Sequence, residues 1–373
     1  MLNYFMPTRI VGGIRENAAL LCTLGTRCLL VTGGSSAKKS GALDDAAAAL
    51  ESVGIPFAVF DKIGPNPLIS ACHAAGDAAR DFGADFLLGI GGGSPLDAAK
   101  AAAIYAANPS LAPMDIFALT HSKPALPTAL IGTTAGTGSE VTRISVLTQD
   151  ESGRKRSIAA DDIYARVAFA DARYTHSMPF AVTLSTALDA LSHAVEGWMK
   201  AEANDICKLF GARAIALLWP ALARMVQSEA LPDAAEREAL YAASLYAGLV
   251  INRCGTAFCH PMGYILTEDY GVAHGTACAV FLPALLKRSK TLAPEKYAEI
   301  SAAFAAAGEA DMAKVCCTLA ALCPLPQVRM NAETLAHYAA YWQASPPKSF
   351  AAPSGGIAPE EAAEVLRDLF CRN

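Results

Sequence analysis

Along the first half of the chain, short apolar runs alternate with stretches whose apolar residues recur every three to four positions. RCLLVT (27–32) reads as a buried strand closed by Gly33 and Gly34, and 38–54 reads as a helix ending at Gly54. FAVFDKI (57–63) is a second strand running into Pro65-Asn66-Pro67, 69–83 is a helix, and ADFLLGI (84–90) is a third strand that ends in Gly91-Gly92-Gly93. Strands separated by helices of this length predict an α/β domain with a mostly parallel sheet. Beyond residue 181 the strand-like runs disappear, and amphipathic segments at 182–200, 204–226, 233–251 and 292–307 predict an all-helical remainder. The turn-like His176-Ser177-Met178-Pro179 puts the boundary near residue 180: an α/β N-terminal domain over 1–180 and an all-helical C-terminal domain over 181–373. Two domains also suit a chain of 373 residues, since single cores stop growing at ~250–300. PPKSFAAPSGG (346–356) reads as an exposed loop.

Composition removes several function classes. Although 53% of the residues are hydrophobic, no uninterrupted apolar run reaches the ~18 residues of a membrane span. The start, MLNYFMPTRIVGG, lacks the basic and apolar regions of a secretory signal. A formal charge of -5 offers no basic face to nucleic acid. The eleven cysteines are scattered without a C-x-x-C pair, which predicts reduced thiols and a cytoplasmic location.

Two small-residue segments are candidates for nucleotide binding. In GGGSPLDAAK the glycines follow a strand and precede a helix, with Ser94 expected as N-cap, Pro95 at the first helical position and Asp97 as the capping acid. Such a turn lets a diphosphate approach the free N–H groups of the helix start, although an ordinary strand-to-helix turn has the same look. IGTTAGTGSEVTR (131–143) clusters hydroxyls among glycines, as a wall for phosphate and ribose oxygens or a plain surface loop would. Two such segments at strand ends are where open α/β sheets bind ligands.

The helical half carries a different chemistry. Asp189 and His193 in LDALSHAVEGW are spaced to share one helical face, and His260 and His274 follow in CHPMGYILTEDYGVAHG. Taken singly, each is compatible with a surface pair or a core histidine. Together, one carboxylate and three imidazoles suit Zn²⁺ or Fe²⁺, whereas Mg²⁺ and Ca²⁺ prefer all-oxygen shells.

The chain resembles the group III, or iron-containing, metal-dependent alcohol dehydrogenases, whose fold also serves dehydroquinate synthase and glycerol dehydrogenase. The resemblance runs from Pro7-Thr8-Arg9 through Pro65-Asn66-Pro67, GGGSPLDAAK, TTAGTGSEVT, DARYTHSMP and DALSHAVEG to His274-Gly275. It implies a dinucleotide-binding first domain and a metal- and substrate-binding second domain. It also implies metal ligation by Asp189, His193, His260 and His274. The cofactor would be contacted by Asn66, Gly92, Gly93, Ser94, Asp97, Thr133, Thr134, Thr137, Ser139, Thr142 and Lys155. The expected activity is reversible hydride transfer between NAD(P)(H) and a small alcohol or aldehyde, with Fe²⁺, or alternatively Zn²⁺, at the substrate oxygen. A homodimer is implied as well, with the N-terminal strand as its candidate interface.

Three departures qualify these expectations. Gly132 replaces a common proline before the two threonines. Tyr264 stands where many members carry a further histidine of the proton relay, so Tyr264 becomes the candidate relay group. After the first strand, Gly33 occupies the place of an aspartate that binds the ribose 2′-hydroxyl in NAD-preferring members. Gly33, Gly34 and Ser35, with Lys38 or Lys39 beside them, would accommodate a 2′-phosphate, which predicts NADP(H) over NAD(H). Phe258, Tyr264, Glu268, Asp269 and Tyr270 are candidate cleft residues. Two competing functions are a non-redox lyase like dehydroquinate synthase, which would use a Glu and two His, and a non-catalytic nucleotide- or metal-binding regulator.

Overall fold

Short, mostly apolar runs, buried on both faces in the central strands, supply a six-stranded, wholly parallel sheet. The structure, a computed structural model, describes residues 2–351 and 354–371. The strands are β1 (Arg9–Val11), β2 (Cys28–Gly33), β3 (Phe57–Ile63), β4 (Phe86–Gly91), β5 (Thr128–Gly132) and, further along, β8 (Val167–Phe169). Their spatial order is β1-β8-β5-β4-β2-β3. Between β5 and β8 lies an antiparallel hairpin, β6 (Ile144–Thr148) with β7 (Lys155–Ala159), which the sequence pattern did not reveal.

Helices cover both faces, as parallel sheets require. On one face Leu29, Val31, Leu87 and Leu130 pack against α3 (Ile69–Phe82) and α4 (Gly93–Ala107). On the other, Leu30, Phe86, Leu88 and Ile131 pack against α2 (Ala42–Ser52), which follows the short α1 (Ser36–Lys39). The single helix expected over 38–54 is therefore two, because Gly41 adopts a left-handed φ of 80° that no helix continues through. Helix α4 also begins earlier than expected. Its N-cap is Gly92, while Ser94 sits inside the first turn and accepts a hydrogen bond from the Asn66 N–H at 3.1 Å.

The rest of the described chain is helical: α5 (Phe180–Met199), α6 (Asp205–Met225), α7 (Ala234–Cys254), α8 (Cys259–Tyr270), α9 (His274–Ala279), α10 (Leu282–Leu292), α11 (Pro294–Ala306), α12 (Met312–Leu322), α13 (Ala332–Ala344) and α14 (Pro359–Phe370). Two compact units result, one of them formed by Phe5–Met178 together with Asp233–Tyr241, so the start of α7 counts with the sheet. Among the described residues α6 alone is long and apolar enough to cross a membrane by composition. It packs on α5 and α11 and buries Ala214, Ile215, Leu218 and Leu222, as a core helix does. The segment expected as an exposed loop at 346–356 contains a short 3₁₀ turn that buries Phe350; Ala352 and Pro353 lie outside the described residues.

Glycines set the closest approaches. At Gly132, the last residue of β5, an added Cβ would overlap the Glu140 carboxylate and stand 2.9 Å from the Tyr241 hydroxyl, which donates to Glu140 at 3.0 Å. The Gly132 N–H in turn bonds to Tyr241. A proline here would remove that donor and fill the space, so this departure is tied to the buried Glu140–Tyr241 pair. Gly132→Ala is expected to destabilise the protein by roughly 1–3 kcal/mol through overpacking. Gly34→Ala, with nothing within 4 Å of the new carbon, should leave the midpoint of urea unfolding unchanged.

Candidate active site

The metal candidates meet at one atom. Asp189 and His193 lie one turn apart on α5, His260 is in the first turn of α8, and His274 opens α9. The Nε2 atoms of His193, His260 and His274 stand 3.6, 3.6 and 3.8 Å from Asp189 Oδ1. These separations are too long for hydrogen bonds, yet they suit donors that each lie ~2.0–2.2 Å from a shared ion. Asp189 Oδ1 and His260 Nε2 are buried and have no hydrogen-bond partner. A divalent cation fits this donor set and would satisfy both atoms.

Local packing explains the convergence. Where Gly275 follows His274, an added Cβ would overlap the Ser185 carbonyl and lie 2.8 Å from Asp189 Cβ. Only a residue without a side chain lets the start of α9 rest directly on the α5 backbone. The Asp189 carboxyl would be lifted by burial, but His193, His260 and His274 outweigh that and hold it well below the usual carboxylate range. It is a carboxylate, as a ligand must be.

Glu196, one turn beyond His193 on α5, is fully buried and completes the setting. Its Oε1 lies 2.5 Å from His260 Nδ1, and its Oε2 accepts the His260 backbone N–H at 3.3 Å. A carboxylate at Nδ1 fixes that proton and aims the Nε2 lone pair at the site. Nothing in the local pattern of LDALSHAVEGW assigns Glu196 this role, because its partner His260 lies sixty-four residues on. Cys278 was missed as well: its thiol joins Asp189, His260 and His274 in a group whose donor atoms lie within 4.8 Å of one another. The D-x-x-x-H spacing has a counterpart in H-x-x-x-C (274–278) that could have drawn attention to it.

Tyr264 lies one turn after His260 on α8, its ring stacked 5.7 Å from that of His274. Burial pushes its hydroxyl above the ordinary tyrosine range, so the group suits hydrogen-bonded proton passage better than proton abstraction. Of the other cleft candidates, Phe258 is fully buried and belongs to the core, and Asp269 accepts a hydrogen bond from the Tyr338 hydroxyl at 2.9 Å.

The nucleotide candidates gather at the C-terminal edge of the sheet. β2 ends at Gly33, β4 at Gly91 and β5 at Gly132, and the chain changes direction across the sheet between β2 and β4. That switch point is where open parallel sheets form a ligand crevice. The two small-residue segments pack on each other here: an added Cβ at Gly92 would meet Thr134 at 3.1 Å, and one at Gly93 would meet Thr137 at 2.7 Å.

The polar residues of this edge divide into two groups. Gly34, Ser35, Asn66, Gly92, Gly93, Ser94, Thr134 and Thr137 keep exposed surface. Ser139, Thr142 and Asp97 are engaged internally. Buried Lys100 Nζ contacts Ser139 O at 2.7 Å, Ser139 Oγ at 2.8 Å, Thr142 Oγ1 at 3.2 Å and Ile144 O at 2.8 Å. Asp97 accepts from Ser139 Oγ at 2.6 Å and from the Val146 N–H at 2.9 Å, so it braces the threonine segment against the hairpin instead of capping α4. Thr133 is buried beside Gly91, whose carbonyl accepts its N–H at 2.8 Å, and Lys155, half-buried on β7, is close enough for Asp97 to feel its charge. Lys38 pairs with Asp61 at 3.2 Å.

Comparison with known proteins agrees with both halves. Residues 7–172 match the iron-containing alcohol dehydrogenase family, and residues 183–341 match the C-terminal domain of the Fe-containing alcohol dehydrogenase family. The chain is 34% identical to lactaldehyde reductase of Escherichia coli K12 over 68% of its own length and 65% of that protein, just under two thirds of the relative. It is 34% identical to 1,3-propanediol dehydrogenase of Klebsiella pneumoniae over 80% of this chain and 76% of that one. An iron-containing alcohol dehydrogenase from Thermotoga maritima superimposes with a TM-score of 0.88 at 33% identity, covering 99% of each chain. With both halves matched and a solved relative superimposable along nearly its whole length, this chain belongs to the iron-containing alcohol dehydrogenase family.

Proposed function

We propose that this protein transfers a hydride reversibly between a nicotinamide dinucleotide and a small alcohol or aldehyde, with a divalent ion held by Asp189, His193, His260 and His274. The observation that carries the proposal is the convergence of three imidazoles on the partnerless buried oxygen of Asp189. When bound, Fe²⁺ or Zn²⁺ would act as a Lewis acid on the substrate oxygen, and the dinucleotide would supply or accept the hydride.

The chain's own residues prepare that chemistry. Glu196 holds the Nδ1 proton of His260 and thereby keeps Nε2 available as a donor. The Tyr264 hydroxyl, in the same helix turn, would pass the substrate proton by hydrogen bonding. In the other unit, Gly92 and Gly93 let Thr134 and Thr137 pack against the start of α4, where their hydroxyls and the free N–H groups of the helix start would meet a diphosphate. Lys100 and Asp97 hold the segment that carries those hydroxyls.

A synthase-like lyase is disfavoured because one Asp and three His converge, where that chemistry would use a Glu and two His. A non-catalytic regulator would bind the dinucleotide without turnover. Chelation of the metal, or Asp189→Ala, is expected to reduce aldehyde-dependent consumption of the reduced dinucleotide to background. Full turnover by metal-free protein would refute the proposal.

Glu196→Gln should retain the fold, because the amide still occupies the space, but weaken metal binding by about 10–100-fold in competition with a chromophoric chelator. Unchanged affinity would remove Glu196 from this role.

Cofactor choice follows from the end of β2. No carboxylate stands at Gly33, Gly34 or Ser35 themselves, and exposed Lys38, which a 2′-phosphate would draw from its surface pair with Asp61, lies one helical turn away, which supports NADP(H). An added Cβ at Gly33 would meet the Ile63 carbonyl at 3.0 Å, so the place is also too tight for an aspartate without local adjustment. Lys38→Ala should raise KM for NADPH roughly fivefold, as loss of about 1 kcal/mol of exposed charge pairing would, and leave KM for NADH unchanged. Equal effects on both cofactors, or a higher kcat/KM with NADH in the unaltered protein, would count against the preference.

A further inference from the structure

Helix α9 presents a second potential donor one turn after His274. Cys278 lies on the same helical face, fully buried, with Sγ 3.7 Å from His274 Nδ1 and 3.8 Å from His274 Nε2. Its Sγ, the Asp189 oxygen and the His260 and His274 nitrogens all lie within 4.8 Å of one another. Two donors at ~2.1 Å (nitrogen) and ~2.3 Å (sulfur) from one ion can stand at most ~4.4 Å apart, and 3.8 Å corresponds to an ordinary angle between them.

The neighbouring helix is built around the thiol. A Cβ on Gly263 of α8 would stand 2.8 Å from Cys278 Sγ, so the absence of a side chain there makes room for the sulfur. Asp189 Oδ1 and His260 Nε2, both buried and lacking hydrogen-bond partners, belong to the same group of donors.

We propose that Cys278 is an inner-sphere ligand of the ion assigned above to Asp189, His193, His260 and His274, bound as thiolate and biasing the centre toward zinc over ferrous iron. On loading, the S–H bond breaks, its proton leaves to solvent, and a sulfur–metal bond forms. A soft thiolate added to nitrogen and oxygen donors strengthens the existing order of affinities, in which Zn²⁺ already exceeds Fe²⁺. The inference rests on the metal-site reading above and extends it from the nitrogen and oxygen donors to sulfur.

Cobalt(II) distinguishes the two. Metal-free protein reloaded with Co²⁺ should show visible d–d bands from the Asp and His donors and a near-ultraviolet sulfur-to-cobalt charge-transfer band. Cys278→Ala and Cys278→Ser should lose the charge-transfer band, keep d–d bands, and bind Zn²⁺ at least about tenfold more weakly while Fe²⁺ affinity falls less. X-ray absorption of the unaltered zinc-loaded protein should show one sulfur scatterer at about 2.3 Å. Bound cobalt without a charge-transfer band, or bound zinc without a sulfur scatterer, overturns the proposal and leaves the Asp and His site standing. Failure to bind either ion overturns both. The measurements on unaltered protein decide the matter even if neither variant folds.

Discussion

Burying a carboxylate oxygen without a partner is costly, and the helical unit is organised around the need to compensate one such atom, Asp189 Oδ1. Three helices contribute to the compensation. Helix α5 supplies the carboxylate, one imidazole and Glu196, which holds a second imidazole on α8, while Gly275 lets α9 lie against the α5 backbone. Each imidazole nitrogen then stops short of hydrogen-bonding distance from the oxygen. A site satisfied by internal hydrogen bonds would have closed these gaps. Because they are held open by packing, a cation bound there would contribute to the folding free energy of this unit.

The sheet unit solves a related problem with the opposite sign. Lys100 is a fully buried ammonium whose pKa burial pushes down to about 8 against the pull of Asp97 and Glu140. Four oxygens from the threonine segment and the hairpin surround it. The charge thus stitches β6 and the segment after β5 to α4. One buried ion holds a loop whose regular structure is a single 3₁₀ turn, Ser139–Val141, which gives such a loop the rigidity a binding surface requires.

How far these arrangements could be read from the chain depended on their range. The strands β2, β3 and β4 and the helices α3, α5 and α6 were legible because runs of apolar residues with the right period need no knowledge of their neighbours. The pairing of Asp189 with His193 was legible for the same reason, being fixed by helical geometry. The three-residue β1 and β8 were too short to show a period, and β6 with β7 is stabilised by contacts to Asp97 that no local pattern announces. Nothing in GGGSPLDAAK marks Lys100 as buried, since its partners lie some forty residues on. The sequence also described Ser94 and Asp97 as caps by local grammar, whereas tertiary hydrogen bonds claimed both side chains.

This division bears on how the nucleotide edge works. Chemically, Ser139 and Thr142 look as suitable for phosphate as Thr134 and Thr137, and composition cannot separate them. The structure separates them by what they already hold: Ser139 is bound to both Lys100 and Asp97, and Thr142 to Lys100, while Thr134 and Thr137 rest on the glycines of the facing turn with surface to spare. An incoming diphosphate would therefore meet hydroxyls whose backbone is fixed by their neighbours' bonds, and would not need to order the segment itself. The entropy of ordering is met in folding, by the buried Lys100 ammonium and the oxygens bonded to it, instead of at each binding event.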